Sequence, residues 1–378
     1  MVLASFSLVI SGTLVTANAN ATGLGFEHRA VCGSAAPDSA RCHAQVIVGS
    51  DHATPATSSA PSGLSPAAIV KAYQFSTSMT AGTGQTIAIV DAYDDPTAEK
   101  DLGVFSTQFG LPACTTANGC FSKVNQTGGT SYPNTNTGWA LEISLDIQWA
   151  HAIAPGAKIL LVEAASANTG NLLAAEDYAS AHASYVSNSW GQSETSSETI
   201  YDSHFAQPGV SYFVSSGDTG LPAQYPSSSP NVISVGGTTL SLNADGTVKS
   251  ETGWSSGGGG CSAYEFATLA AQPTTSSLCA TMRATPDVSL DADPASGVSV
   301  YDSTRYKGQA GWFVVGGTSA SSPMWAARSA DAGVQVNAAY VYSSAITYRD
   351  ITSGGNAAGC LIGYDLCSGR GSWTLANP

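Results

Sequence analysis

Short, continuous apolar runs recur along this chain with helix-like stretches between them, and that alternation restricts the fold more than any other feature. TIAIVDAY (86–93), KILLVEA (158–164), SYVSNSW (184–190), VSYFVSSG (210–217) and NVISVGGTTL (231–240) have strand length and β-type composition. DPTAEKDLGVFSTQFG, WALEISLDIQWAHAI and NLLAAEDYASAHA lie between them and suit helices. A strand that is apolar on both faces needs cover on both, so the pattern predicts an α/β fold with a mostly parallel sheet flanked by helices. In such folds the loops at strand ends build the site, and SSGGGG and LPAQYPSSSP fall there. No internal repeat is visible, and no second domain boundary follows residue 64.

Charge narrows the partners. Only 11% of the 378 residues are charged, 13 basic against 27 acidic, for a net charge of −14. Nucleic acid is excluded, because its binding needs basic patches to displace counterions. Stable association with anionic membranes is excluded for the same reason. Residues 1–22, with an apolar stretch followed by Ala-Asn-Ala-Asn-Ala, read as a secretory signal peptide. Residues 23–63 are polar, rich in Ala, Ser and Pro and without sustained period, and read as a linker or short pro-segment. Leu64-Ser65-Pro66 then opens a helix, with Ser65 as N-cap and Pro66 in the first turn. The eight cysteines fall in close pairs, 32 with 42, 114 with 120, 261 with 279 and 360 with 367. An even set in an exported chain favours disulfides, and joining neighbours is the simplest of the connectivities open to it. None of the spacings is a zinc pattern.

A candidate nucleophile stands in Gly316-Gly317-Thr318-Ser319-Ala320-Ser321-Ser322-Pro323, a small-residue turn entering a helix. Glycine lets backbone approach a ligand closely, and the free N–H groups of a helix N-terminus can hold an oxyanion. Pro323 is expected in the first helical turn, where its missing N–H costs nothing. A nucleophilic serine ordinarily takes a histidine base. His28, His43 and His52 fall in the linker-like region, and His182 and His204 have no evident acidic partner. His151 points about 180° away from Glu142 on the same helix. Glu142 and Asp146, by contrast, share one helix face at i,i+4 among Trp139, Leu141, Ile143, Leu145, Ile147 and Trp149. Two close carboxylates in an apolar setting share a proton, so the pair could take one from serine and return it to a leaving amine. Asp218 follows the strand run SYFV in Ser215-Ser216-Gly217-Asp218-Thr219-Gly220, where a protonated carboxyl could donate to an oxyanion. Asp287 and Asp291 in PDVSLDADP offer a weaker alternative, an aspartic-type dyad, but no paired Asp-Thr-Gly turns accompany them.

With these motifs in this order, LEISLD, WAHAIAPGAKILLVEA, VSNSWG, SSGDTG, YPSSSPNVISVGGT, RATPDVSLDADP and GGTSASSPMWA, the chain resembles the sedolisin (serine-carboxyl) peptidases from about Leu64 to Gly371. The resemblance implies a subtilisin-like, doubly wound fold for a peptidase domain over 64–378. It implies Ser319 as nucleophile, Glu142 as general base and acid, Asp146 as the residue orienting Glu142, and Asp218 as oxyanion donor. Asp91 and Trp190 would extend the carboxylate network or line the substrate groove. It also implies one structural calcium ion held by the carboxylates of Asp350 and Asp365 and the carbonyls of Ile351, Leu361 and Gly363. Leu361 departs from the glycine usual there. Two further departures are the absence of a long inhibitory prodomain and a short stretch between Ser319 and Asp350, which would alter packing behind the serine. The function so implied is a secreted, monomeric, acid-acting serine endopeptidase with protein or peptide substrates. The alternative is a catalytically weak relative that binds peptides.

Overall fold

The computed structural model describes residues 27–268 and 272–374. The expected signal peptide, 1–22, lies outside them. Seven parallel strands form the centre of the main sheet, in the spatial order Phe121–Asn125, Lys158–Ala164, Thr86–Ala92, Tyr185–Asn188, Ser211–Ser215, Ile233–Leu242 and Val288–Asp291. The first of these in sequence, Thr86–Ala92, sits inside the sheet: the chain runs outward on one side of it and then returns to build the other. Its Ile87, Ala88, Ile89 and Val90 are fully buried, as the apolar run requires. This point of reversal is where α/β sheets open a crevice at their carboxyl ends.

Two helices bring the candidate residues to that crevice. Thr137–Ile153 starts at Asn136, whose side chain caps the N–H groups of Gly138 and Trp139. All of it from Gly138 to Ile153 is buried, polar residues included, because it lies between the sheet, the helix Thr318–Ala332 and the strand Val298–Tyr306. A helix covered all round shows no polar face in its sequence. Thr318–Ala332 packs on Tyr185–Asn188 and Ser211–Ser215.

The polar segment expected to be a linker is instead built into the body. His28–Ala30 pairs with Gln45–Ile47, which pairs with Gln309–Gly316, and Thr57–Ser58 joins the same strand. Arg41–Cys42 pairs with Trp190–Gly191 elsewhere. Val31, Ala40, Cys42, Ala44 and Val46 are buried. Their spacing shows no period because the segment is held by backbone pairing to strands remote in sequence, with apolar residues dropping singly into the core.

All four neighbouring cysteine pairs are disulfide-bonded. Behind Ser319 the stretch is short, with a four-residue helix at Ala338–Val341, yet it is packed. Trp325 lies 5.0 Å from Trp373 and stacks on Tyr348, while Val341 and Ile346 are buried. The short stretch thus packs aromatic and apolar side chains against the helix that carries the serine.

Candidate active site

Ser319 occupies the first turn of the helix Thr318–Ala332, entered through Gly317 at φ 97°. That conformation, and the close approach of other groups, demand glycine. Pro323 is not in the first turn as expected but well inside the helix. It cannot donate to the Ser319 carbonyl four residues back, and the hydroxyl of Ser189 donates to that carbonyl instead, at 3.4 Å. Ser319 Oγ in turn donates to the Ser189 carbonyl at 3.3 Å.

The structure brings Ser319, Glu142, Asp146 and Asp218 together. Glu142, Asp146 and Ser319 are fully buried and Asp218 nearly so. Burial first, then Asp146, pushes the Glu142 carboxyl well above the usual range; the neighbouring Ser319 hydroxyl and a hydrogen bond from Ala44 N–H pull it back toward the charged form. No well-formed hydrogen bond joins Ser319 to Glu142, and Glu142 Oε1 is without a partner. Asp146 is raised by burial and then by Asp91, with Ser189 favouring its charged form. Asp91, at the end of its strand, is raised by burial, Glu142 and Glu163, so the carboxylates form one coupled group. Trp190 donates its indole N–H to Val90 O beside that strand end, at 2.9 Å.

Asp218 sits past the strand Ser211–Ser215, in a turn set by Gly217 at φ 109°. Its Oδ1 accepts from Thr318 N–H at 2.8 Å and Thr318 Oγ1 at 2.9 Å, which fixes it against the start of the Ser319 helix. Burial outweighs these bonds and holds its pKa up at about 6. A carboxyl protonated below that pH can donate to a developing oxyanion.

The linker-like residues 43–45 reach the same place, which no local signal in the sequence marks. Ala44 N–H donates to Glu142 Oε2 at 2.8 Å, and Gln45 Nε2 donates to Asp218 Oδ2 at 3.0 Å. His43 is fully buried and contacts Ser215 and Gln224, and burial, with Arg41 adding to it, lowers its pKa to about 3. The other histidines stay apart: His151 Nε2 bonds to Pro112 O at 2.9 Å, and His204, expected to lack an acidic partner, pairs with Asp177 at 2.7 Å near the surface. Asp287 is paired with Arg283, whereas Asp291 accepts from Leu240 N–H and Ser296, so these two form no dyad. A cavity of about 430 Å³ lies under residues 31–41 against Asn136 and Trp139; neither Ser319 nor the four acids line it.

The expected calcium residues are gathered in one loop. Asp350 Oδ2 accepts from Gly363 N–H at 2.8 Å, and Asp365 Oδ2 from Leu361 N–H at 2.6 Å. Two carboxylates converge on residues 361–363, and the Leu361 side chain is exposed, so it does not stand in the way of its own carbonyl. The all-oxygen donor chemistry suits a hard cation.

A model of the subtilase family matches residues 122–343. Kumamolisin from Bacillus sp. (strain MN-32) is 31% identical over 367 residues, an alignment covering 83% of this chain and 63% of kumamolisin. Sedolisin from Pseudomonas sp. (strain 101) is 30% identical over 357 residues, covering 76% of this chain and 59% of sedolisin. The chain therefore spans about six-tenths of the length of these curated relatives. Among solved structures, Pseudomonas sedolisin, a serine-carboxyl proteinase complexed with two molecules of pseudo-iodotyrostatin, superposes with a TM-score of 0.71 at 28% identity, covering 83% of this chain and 96% of that one.

Proposed function

The chain belongs to the subtilase family as a sedolisin-type member, and from that premise we propose that it is a serine-carboxyl endopeptidase working in acid. Ser319 attacks the scissile carbonyl while Glu142 takes its proton. Asp146 orients Glu142 and shares its charge, and Asp218, protonated, donates to the oxyanion. Glu142 then returns the proton to the leaving amine, and water cleaves the acyl-enzyme by the reverse use of the same groups. The observation that carries this reading is the meeting of a helix-start serine with three buried carboxyls and no histidine base. Peptide backbone reaches the same place, since Ala44 N–H donates to Glu142 and His43 N–H to the Ser189 carbonyl that Ser319 Oγ also meets.

The reading includes export, which four disulfides support. No helix among the described residues is long and apolar enough to cross a membrane. It also includes a calcium ion held by Asp350, Asp365 and the carbonyls of Ile351, Leu361 and Gly363; a bound cation would supply charge that ties the loop together and takes no part in bond cleavage.

The test is a pH–rate profile on a denatured protein substrate with Ser319→Ala and Glu142→Ala as controls. We expect a maximum well below pH 7 and a fall of at least ~10³-fold in kcat for either variant. An optimum near pH 8, or near-wild-type turnover by Glu142→Ala, would overturn the assignment.

A further inference from the structure

Away from Ser319, one buried side chain has an atom that the fold leaves unsatisfied. His151 lies near the end of the helix Thr137–Ile153, fully buried, and its Nε2 is 2.9 Å from Pro112 O. A carbonyl can only accept, so Nε2 carries the hydrogen and Nδ1 is left with a bare lone pair. Nδ1 is buried and has no hydrogen-bond partner. Beside the ring stand Cys114 and Cys120: a ring nitrogen of His151 and both Sγ atoms lie within 4.8 Å of one another. Joined as a disulfide, these sulfurs carry no hydrogen and have none to give Nδ1. A buried acceptor without a donor is costly and calls for a reason.

The two cysteines are held in place by more than their own bond. Asn118, in the turn between them, donates through Nδ2 to Ala113 O at 2.7 Å, and its Oδ1 accepts from Thr115 N–H at 3.1 Å and from Cys120 N–H at 3.0 Å. Thr116 N–H donates to Glu99 Oε1 at 2.8 Å, which ties the turn to the helix Ala98–Phe109. Ile159 N–H donates to Cys120 O at 2.8 Å, which ties it to the strand Lys158–Ala164. Opening the disulfide would therefore leave two thiols and an imidazole still gathered. The cysteine Cα atoms are 4.9 Å apart, so both sulfurs can reach one ion. Around tetrahedral zinc, with Zn–S about 2.3 Å and Zn–N about 2.0 Å, ligand atoms stand about 3.5–3.8 Å apart, and small side-chain adjustments suffice. Pro112 O holds the ring through Nε2–H, the support that a ligating imidazole takes. Burial lowers the His151 pKa, which keeps the ring neutral and able to coordinate.

We propose that Cys114, Cys120 and His151 form a metal site distinct from the Asp350–Asp365 loop, binding zinc or an equally soft divalent ion through two thiolates and Nδ1 when the disulfide is open. A thiol reductant supplies the two electrons. Two small thiols become one disulfide, and their electrons and protons turn the Cys114–Cys120 bond into two thiols. The ion then displaces both thiol protons to solvent, and water takes the fourth position. Two thiolate charges balance a divalent cation in a buried setting, and sulfur donors select against calcium. Cys120, half-buried, is the side from which the ion enters. The same residues thus have two closed states, a disulfide when oxidised and a metal centre when reduced, and the second also satisfies Nδ1. No cysteine spacing announces the site, because its third donor arrives from a separate helix. A bound ion would fasten the 114–120 turn to the helix that carries Glu142 and Asp146.

The experiment uses the full chain carrying Ser319→Ala, made in a reducing cytoplasm and purified without air, its thiols confirmed by alkylation and its fold by circular dichroism. Co2+ is titrated as the probe and displaced with Zn2+. We expect one Co2+ per chain with thiolate-to-cobalt charge-transfer absorption, and d–d bands of the strength that only a four-coordinate site gives. Binding should weaken at least ~10-fold in His151→Ala and in Cys114→Ser, and stay unchanged when Cys261→Ser and Cys279→Ser are combined. Affinity should fall with pH, since protons compete for both sulfurs. Zn2+ should raise the Tm of the reduced chain by at least ~3 °C and leave that of the oxidised chain unchanged. Should a variant fail to fold, the cobalt bands of the parent chain decide alone. Absence of those bands, equal binding by a folded His151→Ala, binding that vanishes with Cys261 and Cys279 instead, or loss of the fold on reduction would each overturn the inference. The peptidase reading stands under all of these outcomes.

Discussion

Asp218 accepts two hydrogen bonds from Thr318 and one from Gln45, yet burial keeps its pKa at about 6. Its acid form is thus present below that pH and lost above it, so the donor role disappears on the alkaline side. We expect kcat/KM on an exogenous peptide to fall as pH rises through about 6. Asp218→Asn, whose amide donates at any pH, should lose that alkaline fall, and Asp218→Ala should cost ~10²–10³-fold in kcat. His43 titrates in the other sense. Seated, its pKa is about 3 against an ordinary 6.5, because burial and then Arg41 disfavour the cation. Its contribution to holding the N-terminal segment is therefore complete above 6.5 and is lost as pH falls toward 3. Arg41 on its own segment, with Glu142 and Asp218 across from it, are the charged groups nearby; Asp218, at about 6, becomes neutral within the same range, and burial and Asp146 hold Glu142 toward its neutral form. In Ser319→Ala, hydrogen-exchange protection of residues 28–47 should drop between pH 6.5 and 3.5 relative to the strand Thr86–Ala92, and equal protection across that range would refute it.

The helix Thr137–Ile153 and the turn into Thr318–Ala332 were both legible in the sequence, because each carries a local signature. For the first it is an i,i+4 acid pair among large apolar residues; for the second, two glycines before a serine. The segment 27–63 was not legible, since its strands pair with partners at 190–191 and 309–316 and no period marks them. For the same reason His43 passed as a linker residue. The calcium loop stands between these cases: Asp350 and Asp365 were recognisable, and the structure gathers them on 361–363. Asp350 Oδ2 accepts from one amide, while Asp365 uses both oxygens, Oδ2 toward Leu361 N–H and Oδ1 toward Cys367 and Ser368, and a cation bound beside them would meet carboxylates already oriented by the loop. Chelation should accordingly lower Tm by several degrees, and Asp365→Asn should abolish the response to chelator; unchanged melting with and without chelator would remove calcium from the account.

Across the whole molecule, carboxyls are buried in unusual number for a chain with 13 basic residues. Glu163, Glu176, Glu198 and Glu265 are each pushed up to about 8, with burial the first cause in every case. Asp302 stands at about 7 and Asp95 at about 6. Each of these groups binds its proton more tightly folded than unfolded. Stability then rises as pH falls through the folded pKa toward the unfolded one, the reverse of ordinary acid denaturation driven by paired carboxylates. The net charge of −14 acts in the same direction, because protonation relieves self-repulsion. His43 and His151, both lowered by burial, oppose it but are outnumbered. The alternation of strand and helix therefore supplies a scaffold, while the buried acids set the conditions in which it is firm. Ser319→Ala, which removes self-cleavage from the measurement, should melt at least ~5 °C higher at pH 5 than at pH 8. A Tm that declines steadily from pH 8 to pH 5 would mean that these carboxyls are ionised in the folded state, and the acid-working chemistry built on them would lose its electrostatic basis.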